Sequence, residues 1–309
     1  YEVDMEDFLS NISHELRTPV NVVNGMSDIL IKNHAGREAG VVKNAGLRLA
    51  NQIEDIQDYT ECKRNKILLE EEDYMTISLI NDVVTDFRLM DNSRKLALVV
   101  DLDPATPTAM RGDRKKIHKI FSHLVANAVK FTKRGGIYVK LYTEEYGEYV
   151  NLCIEVSDTG IGMDRRAAQS ASNGLFQADK GRNRSTGGIG LGLFIVYGFA
   201  HRMGGCVRIE SERGSGTTVR VTVPQKVVDA AGCLVLSDGF RGDVLFHVRQ
   251  DKFAVPRVRE FYSDMASNLA TGIGVHLFSA DTVDDIERMR EKLDVKYIFM
   301  GAEEYESNA

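Results

Sequence analysis

Two long amphipathic segments at the start of the chain constrain the fold more than any other feature. Apolar residues recur at helical spacing from Val3 to His34 and again from Glu38 to Lys66, with a break at His34-Ala-Gly36. The two apolar stripes consist of Phe8, Ile12, Leu16, Pro19, Val23, Met26 and Leu30, and of Val42, Ala45, Leu49, Ile53, Ile56 and Tyr59. Two such helices cannot bury both stripes fully against each other, so the pattern predicts a helical hairpin that a second copy completes as a dimeric four-helix bundle. Packing of the stripes on another domain of the same chain is the alternative.

Length and charge narrow the class of protein. The chain has 309 residues, which is room for two or three domains, and its 43% apolar content supports real cores. A net charge of −6 argues against a general nucleic-acid binder. The four cysteines form no CxxC pair, as expected in a reducing compartment. No segment approaches the about 18 apolar residues of a membrane span, and we expect no signal peptide. We therefore expect a cytoplasmic protein, or the cytoplasmic part of a membrane-anchored sensor, with no membrane contact in this fragment.

One histidine stands out on the first helix. On a helical projection His14 lies opposite the apolar stripe, Thr18 faces the same way one turn later, and Glu15 lies beside it. Pro19 should bend the helix just past this histidine. Glu15 could hydrogen-bond one ring nitrogen and leave the other free as a nucleophile. A single exposed histidine is otherwise most often an ordinary surface residue.

Residues 70–226 have a different pattern. The sequence predicts helices at Leu79–Leu89, Arg114–Phe131 and Gly190–Met203 and a loop at Pro104–Met110. Predicted strands lie at Ala97–Leu102, Gly136–Glu144, Tyr149–Ser157, Cys206–Ser211 and Thr217–Val223. Helices and a mainly antiparallel sheet in separate layers indicate an α/β sandwich.

Four short motifs in this region could carry chemistry. Asn127 and Lys130 share a face of the predicted helix, where an amide oxygen and an ammonium could serve Mg²⁺ and phosphate. Asp158 ends a predicted strand before a glycine turn, where its carboxylate could accept a hydrogen bond from an exocyclic amine. The run Thr186-Gly-Gly-Ile-Gly-Leu-Gly192-Leu leads into a helix N-terminus, where backbone N–H groups can approach phosphate. Gly214-Ser-Gly-Thr217 closes the last hairpin. Each motif alone is equally compatible with an ordinary turn or helix.

Taken together, the motifs resemble those of the sensor histidine kinases over roughly residues 5 to 225. Ser-His-Glu-Leu-Arg-Thr-Pro at Ser13–Pro19 resembles the H box, and the four later motifs follow in the order of the N, G1, G2 and G3 boxes. The resemblance implies that His14 accepts the γ-phosphoryl group of ATP, with Glu15 and Thr18 as further catalytic residues. It implies an ATP-binding set that comprises Asn127 as the Mg²⁺ ligand, Lys130 at the phosphates, Asp158 at the adenine amine, Gly160 and Gly162 around the adenine, and Gly188, Gly190, Leu191, Gly192 and Thr217.

The resemblance also identifies residues between Gly162 and Gly187 as the ATP lid. Phe176 would anchor this lid, and Arg182 or Arg184 would neutralise charge on the transferring phosphoryl group. Three positions depart from the family pattern, and one of them is Lys119, at a position that is often glutamine. His123 stands where the first asparagine of the N box is usual, and Ile189 replaces a small hydroxyl residue of the G2 box.

The C-terminal segment, residues 227–309, has a different pattern from the helical hairpin and from the predicted sandwich. It predicts strands at Asp243–Val248, Val275–Phe278 and Tyr297–Met300 that alternate with helices at Pro256–Leu269 and Thr282–Leu293. This alternation indicates a partial, doubly wound parallel sheet. The segment resembles about half of a receiver domain, but Arg249-Gln250 replace the acidic pair, and Gly301 stands where the phosphoacceptor aspartate is expected. An unrelated flavodoxin-like half-domain is the alternative.

The expected organisation is therefore a dimerisation and phosphotransfer domain at residues 1–69, a catalytic ATP-binding domain at 70–226 and a partial receiver-like domain at 227–309. The resemblance implies ATP and Mg²⁺ as cofactors, a homodimer, and a response-regulator receiver domain as phosphotransfer partner. Two rival functions stay open: an ATPase that releases phosphate, because the same sandwich serves chaperones and topoisomerases, and a phosphatase-biased or inactive scaffold.

Overall fold

The computed structural model describes residues 2–32, 37–90, 96–172, 191–235, 242–247, 255–280 and 282–300. Its helices are α1 (Glu2–Lys32), α2 (Arg37–Lys63), α3 (Thr76–Met90), α4 (Arg114–Phe131), α5 (Arg165–Ser172), α6 (Gly192–Arg202), α7 (Pro256–Ile273) and α8 (Val283–Arg290). Its strands are β1 (Glu72–Met75), β2 (Ala97–Leu102), β3 (Pro107–Gly112), β4 (Gly136–Tyr146), β5 (Tyr149–Asp158), β6 (Cys206–Glu212), β7 (Gly216–Gly232), β8 (Asp243–His247), β9 (His276–Ala280) and β10 (Val295–Phe299). These elements form two compact units, one of α1, α2 and α6 and one of all the others.

The predicted helical hairpin is confirmed. Helices α1 and α2 pack along each other and are joined by hydrogen bonding between Arg17 and Gln57 and by an ion pair of 2.6 Å between Asp28 and Lys43. The contact face buries Val20, Ser27 and Ile53. Most of the predicted stripe residues that the structure describes remain exposed within the single chain: Leu16, Val23, Met26, Leu30, Val42 and Leu49. α1 is continuous through Pro19.

Helix α6 packs on the second helix of the hairpin. The rings of Tyr59 and Phe194 lie 4.9 Å apart, and the ammonium of Lys63 lies 5.3 Å from the Phe194 ring centre. Arg202 donates from Nε to the carbonyl oxygen of Ile67 over 2.9 Å. The ring contact and the hydrogen bond together hold α6 against the end of α2 and the residues that follow it.

The second unit contains the predicted α/β sandwich. Its sheet has the order β1-β3-β7-β5-β4-β2, and β6 pairs with β7. The pairings are antiparallel except that β2 runs parallel to β4. Helices α3 and α4 pack on this sheet, and the fully buried side chains of Ile137, Val139 and Leu141 recur at every second position of β4, as one face of a strand requires. The core of the unit therefore lies between one sheet face and the helices.

Two local predictions were wrong. The loop predicted at Pro104–Met110 contains β3, which pairs with β1 and β7. The last strand is longer than predicted, because β7 spans 17 residues and ends at Gly232, beyond the expected domain boundary. The first part of β7 pairs with β5 and β6, and its last part pairs with β3. Within the segment identified as the lid, Arg165–Ser172 form a short helix, α5. The missed strands are short or polar, and only their sheet partners stabilise them.

The C-terminal segment forms the predicted parallel sheet, with the order β10-β8-β9. Helix α7 between its first two strands also packs on β2 and β4 of the larger sheet. The ring of Phe261 stacks on Tyr138 at 5.1 Å, and Asn268 donates to Asp101 over 2.5 Å. Because Tyr138 alternates with Ile137 and Val139 along β4, α7 covers the other face of that sheet.

Candidate functional site

Helix α4 carries the first two candidate residues. Asp113 caps the helix by accepting the backbone N–H of Lys116 over 3.0 Å, and it also accepts the N–H of Glu70 over 2.9 Å. The cap fixes where α4 begins and places Asn127 and Lys130 in its last turns, where both are half-buried. The ammonium of Lys130 lies 5.2 Å from the ring centre of Phe131.

His123, which replaces the usual asparagine, lies one turn before Asn127. Burial and, second, the charge of Lys119 lower the pKa of His123 to about 4. The imidazole is therefore neutral at pH 7 and adds no positive charge to this end of the helix. A neutral imidazole nitrogen is also a poor substitute for the oxygen ligands that Mg²⁺ prefers. Asn127 thus remains the candidate oxygen donor on this face.

Asp158 ends strand β5 and is buried, with 7% of its surface exposed. One carboxylate oxygen accepts the backbone N–H of Gly160 over 2.7 Å. Burial raises the pKa of Asp158 above its usual range, while hydrogen bonds from the Gly160 and Thr217 N–H groups and the Thr132 hydroxyl, together with the charge of Arg257, oppose this shift. The site thus holds a partly desolvated carboxylate that can accept a further N–H donor.

The loop after Asp158 interlocks with the turn between β6 and β7. Gly216 has φ +100°, and a Cβ there would overlap the carbonyl oxygen of Asp158. Gly162 has φ +60°, and a Cβ there would overlap the carbonyl oxygen of Glu212. Glycine is required at both positions because the two backbones touch. The G1 and G3 motifs, which are some 50 residues apart in sequence, therefore form one surface in the structure.

Hydrogen bonds hold this surface in place. Gly214 donates its N–H to the carbonyl of Ile161 over 2.8 Å, and Met163 donates its N–H to the hydroxyl of Ser211 over 2.8 Å. The same Ser211 hydroxyl lies 2.9 Å from the hydroxyl of Thr217. The predicted residue Thr217 thus contributes through its N–H to Asp158 and through this hydroxyl pair. The arrangement fixes both sides of the space next to the Asp158 carboxylate.

The C-terminal end of α4 contacts the loop that follows Asp158. Ile161 donates its N–H to the carbonyl oxygen of Phe131 over 3.3 Å, and a Cβ on Gly160 would overlap that oxygen. Asn127 is four residues before Phe131 and so lies on the same side of α4. The structure therefore brings Asn127, Lys130, Asp158, Gly160, Gly162 and Thr217 to one end of the sandwich.

The remaining predicted residues are placed elsewhere or lie outside the described residues. Thr18 is exposed on α1; His14 and Glu15 belong to the same helix, but their side chains lie outside the described part of the structure. Leu191 and Gly192 lie at the beginning of α6, in the other compact unit. Phe176, Arg182, Arg184, Gly188 and Gly190 also lie outside the described residues.

Sequence reasoning missed two residues around Asp158. Thr132 directly follows α4 and Arg257 lies in the first turn of α7, and both act on the Asp158 carboxylate. Thr132 could have been found, because it directly follows the helix that carries Asn127. Arg257 has no local signal, because it comes from a separate segment about 100 residues further along the chain.

Two further findings concern the described residues. No helix there combines the length and apolar character that crossing a membrane requires. In the same part of the chain, no three His, Cys, Asp or Glu side chains come together as a metal site.

Comparison with known proteins agrees with this geometry. Residues 112–227 match the family described as histidine kinase-, DNA gyrase B- and HSP90-like ATPase, and residues 4–61 match the His Kinase A (phospho-acceptor) domain. Together the two matches cover more than half of the chain. The site residues on α4, β5 and β7 fall within the first match, and His14 falls within the second.

Curated relatives include the autoinducer 2 sensor kinase/phosphatase LuxQ of Vibrio cholerae, which is 33% identical over 72% of this chain and 26% of its own length. Sensor protein GacS of Pseudomonas syringae pv. syringae is 31% identical over 78% of this chain and 28% of its own length. This chain therefore spans about a quarter of the length of these relatives.

Among solved structures, full-length ShkA in complex with AMPPNP superimposes with a TM-score of 0.67 at 22% identity. The match covers 91% of this chain and 57% of ShkA, so it extends beyond the two matched families and supports the fold. A phospho-acceptor helix that carries the H box, followed by an ATP-binding domain of the kinase type, places this chain in the sensor histidine kinase family.

Proposed function

We propose that this chain transfers the γ-phosphoryl group of ATP to its own His14. The observation that carries the proposal is the buried Asp158 carboxylate, held between two glycine-containing loops in the ATP-binding domain of a chain that also contains a phospho-acceptor helix. A buried acceptor with a fixed direction discriminates strongly for a ligand that donates a hydrogen bond to it. The adenine amino group is such a donor.

The other residues at this end of the sandwich have roles that follow from their chemistry. Gly160 and Gly162 let the backbone approach the flat adenine ring, and Thr217 orients Asp158 through its N–H. Asn127 and Lys130 on α4 face the polyphosphate. Phe176, Arg182, Arg184, Gly188, Gly190, Leu191 and Gly192 complete the lid and phosphate end in this proposal.

The residues present fit Mg²⁺ that arrives with ATP. Mg²⁺ keeps several waters and is held by substrate phosphates plus one or two protein oxygens, and Asn127 offers one such oxygen on the α4 face. The described residues contain no cluster that would hold the ion by itself. When bound, Mg²⁺ would neutralise charge on the phosphates.

The chemistry at His14 is a direct displacement. A ring nitrogen of His14 forms a bond to the γ-phosphorus, the bond from that phosphorus to the bridging oxygen breaks, and ADP leaves with the electron pair. Glu15 orients the imidazole and takes its proton. The phosphoryl group then passes to an aspartate of a response-regulator receiver domain, and Thr18, exposed on the same helix, positions water in the reverse phosphatase reaction.

The hairpin supports a homodimer. Val23, Met26 and Leu30 are about half exposed in the single chain although they belong to the apolar stripe. A second hairpin would cover these side chains and complete four helices. The dimer is therefore part of the proposed function.

The C-terminal segment is proposed to be a partial receiver-like domain that does not accept phosphate. The central position of β8 between β10 and β9 supports a flavodoxin-like order of strands. No aspartate follows the third strand, where Met300 and Gly301 stand.

Incubation of the chain with γ-labelled ATP and Mg²⁺ tests the proposal. We expect label on the protein that is lost in acid and stable in base, as phosphohistidine is. Free labelled phosphate without labelled protein would instead indicate an ATPase. Tight ATP binding with neither product would indicate a scaffold or a phosphatase-biased protein.

A further inference from the structure

Arg257, in the first turn of α7, reaches from the C-terminal segment to the nucleotide end of the sandwich. Its Nη1 donates to the carbonyl oxygen of Ser215 over 2.6 Å, in the turn between β6 and β7. Its guanidinium carbon also lies 5.6 Å from the ring centre of Phe261, which stacks on Tyr138. The half-buried side chain is thus held by the turn on one side and by an aromatic pair on the other.

The start of α7 is fixed at the strand ends where Asp158 lies. Val255 and Val258 lie against Gly135 and Gly136 at the beginning of β4. The next residue of β4, Ile137, pairs with Asp158 on β5. Pro256 at the first helical position sets the direction of α7, because its ring fixes φ near the helical value. Arg257 therefore starts from a rigid position.

The turn that Arg257 contacts is the one that touches Asp158. Ser215 directly precedes Gly216, where a Cβ would overlap the Asp158 carbonyl oxygen, and Thr217 donates its N–H to the Asp158 carboxylate. Among the described groups that act on this carboxylate, Arg257 is the charged one, and Gly160, Thr217 and Thr132 are neutral. Arg257 thus acts on Asp158 both through the turn and through its charge.

We propose that Arg257 is a positioning residue through which the C-terminal segment sets the affinity of the kinase for ATP. The inference rests on the proposed contact between Asp158 and the adenine amino group. When α7 is docked, Arg257 holds the turn closed, and its charge favours the ionised form of Asp158, which is the hydrogen-bond acceptor. Any event that moves α7 on the sheet then weakens ATP binding without touching the nucleotide.

The test compares ATP with purine riboside triphosphate, which lacks the 6-amino group, on the full chain. We expect Arg257→Ala to raise the Kd for ATP about three- to tenfold, because one hydrogen bond and one nearby charge are lost. The Kd for the analogue should rise much less, because it makes no contact with Asp158. Arg257→Lys, which keeps the charge, should recover part of the loss. Arg259→Ala, at an exposed position two residues further along α7, should bind both nucleotides as wild type does.

The outcomes separate this inference from the proposed function. If Arg257→Ala binds ATP as wild type does, or if it weakens ATP and the analogue by the same factor, Arg257 is not a positioning residue for the adenine contact. Asp158→Asn, measured in parallel, tests the contact itself. A loss of ATP affinity in Asp158→Asn with none in Arg257→Ala overturns the inference alone, whereas wild-type affinity in Asp158→Asn overturns the assignment on which it rests.

Discussion

The helical hairpin and the nucleotide-binding sandwich bury their apolar side chains to very different degrees. In the sandwich, Ile137, Leu152 and Ile154 have no exposed surface. In the hairpin, Met26 and Leu30 on α1 are 59% and 50% exposed, although they continue the regular apolar stripe of that helix. Exposed apolar residues are ordinary when scattered, but a continuous row along a helix marks an interaction surface.

The two regions therefore differ in how far a single chain covers their apolar side chains. The sandwich closes its own core, and the surface around Asp158 is built from contacts within one chain. The hairpin leaves an apolar stripe open within the single chain, and in the proposed dimer a second copy covers that stripe.

The largest effect is expected at the exposed stripe of the hairpin. The double substitution Met26→Glu and Leu30→Glu should abolish the dimer, because it places four carboxylates in the proposed interface. Light scattering should then report one chain per particle, while the affinity for ATP stays at the wild-type value. Asn51→Glu, at an exposed polar position of α2, is the matched control and should remain dimeric. A double variant that stays dimeric would show that the stripe is not the interface.

In the sandwich, the largest effect should follow from Asp158→Asn. An amide at this position presents a donor as well as an acceptor, and we expect ATP affinity to fall about 10- to 100-fold. Calorimetric titration measures this change, and light scattering should show that the dimer is intact. Asp229→Asn, on the exposed part of β7, is the control and should bind ATP normally. Unchanged affinity in Asp158→Asn would remove the adenine contact from the proposal.

The two glycines of the turn between β6 and β7 provide a finer comparison within the sandwich. Gly214 and Gly216 both have positive φ, at +87° and +100°, so alanine is strained at either position. Only Gly216 also meets another backbone, that of Asp158, whereas a Cβ on Gly214 meets nothing within 4 Å. Gly216→Ala should therefore lower the free energy of unfolding by about 1–3 kcal/mol more than Gly214→Ala does. Urea unfolding measures both, and equal losses would mean that the interlocked backbones do not contribute.

The smallest effect concerns the ion pair between α3 and α4. His118 lies 3.1 Å from Asp86, and this hydrogen bond raises the pKa of His118 more than burial lowers it. Because the pKa of His118 is higher in the folded state than in the unfolded state, the protonated histidine stabilises the fold. This stabilisation is complete below pH 6.5, the ordinary pKa of histidine, and it is lost as the pH rises through the pKa of His118 in the folded state. His118→Gln should thus cost about 0.5 kcal/mol at pH 5.5 and almost nothing at pH 9.

Urea unfolding of His118→Gln and Asp86→Asn at both pH values checks this pair. The two variants should lose the same pH-dependent part of the stability. A loss in His118→Gln that does not change between pH 5.5 and pH 9 would assign the effect to packing rather than to charge.

The long periodic elements could be predicted from the sequence because their patterns are local. The helices α1, α2 and α4 and the strands β4 and β5 all follow from apolar spacing, and the comparisons confirm the family that the H box and the glycine motifs indicated. The strand β3 could not be predicted in this way. Its residues, from Pro107 to Gly112, include a proline, a threonine and an arginine, and only pairing with β1 and β7 makes them a strand.

In the candidate site, too, the local features could be predicted from the sequence and the long-range contacts could not. Asp158 and its glycines could be predicted because they are neighbours in sequence and because the family motif marks them. The contribution of Arg257 could not, because it depends on the docking of α7 on the far face of the sheet, to which no motif points. The catalytic and ATP-binding roles of all these residues stay predictions, and the side chains of His14 and of the lid residues lie outside the described part of the chain.

The most direct test of the account is the labelling of His14→Gln with γ-labelled ATP and Mg²⁺, beside wild type and beside His201→Gln, an exposed histidine of α6. We expect acid-labile, base-stable label on wild type and on His201→Gln and none on His14→Gln. All three proteins should bind ATP with the same affinity, because the sandwich binds it without the hairpin histidine. Acid-labile label that persists on His14→Gln would contradict the account and place the acceptor at another histidine.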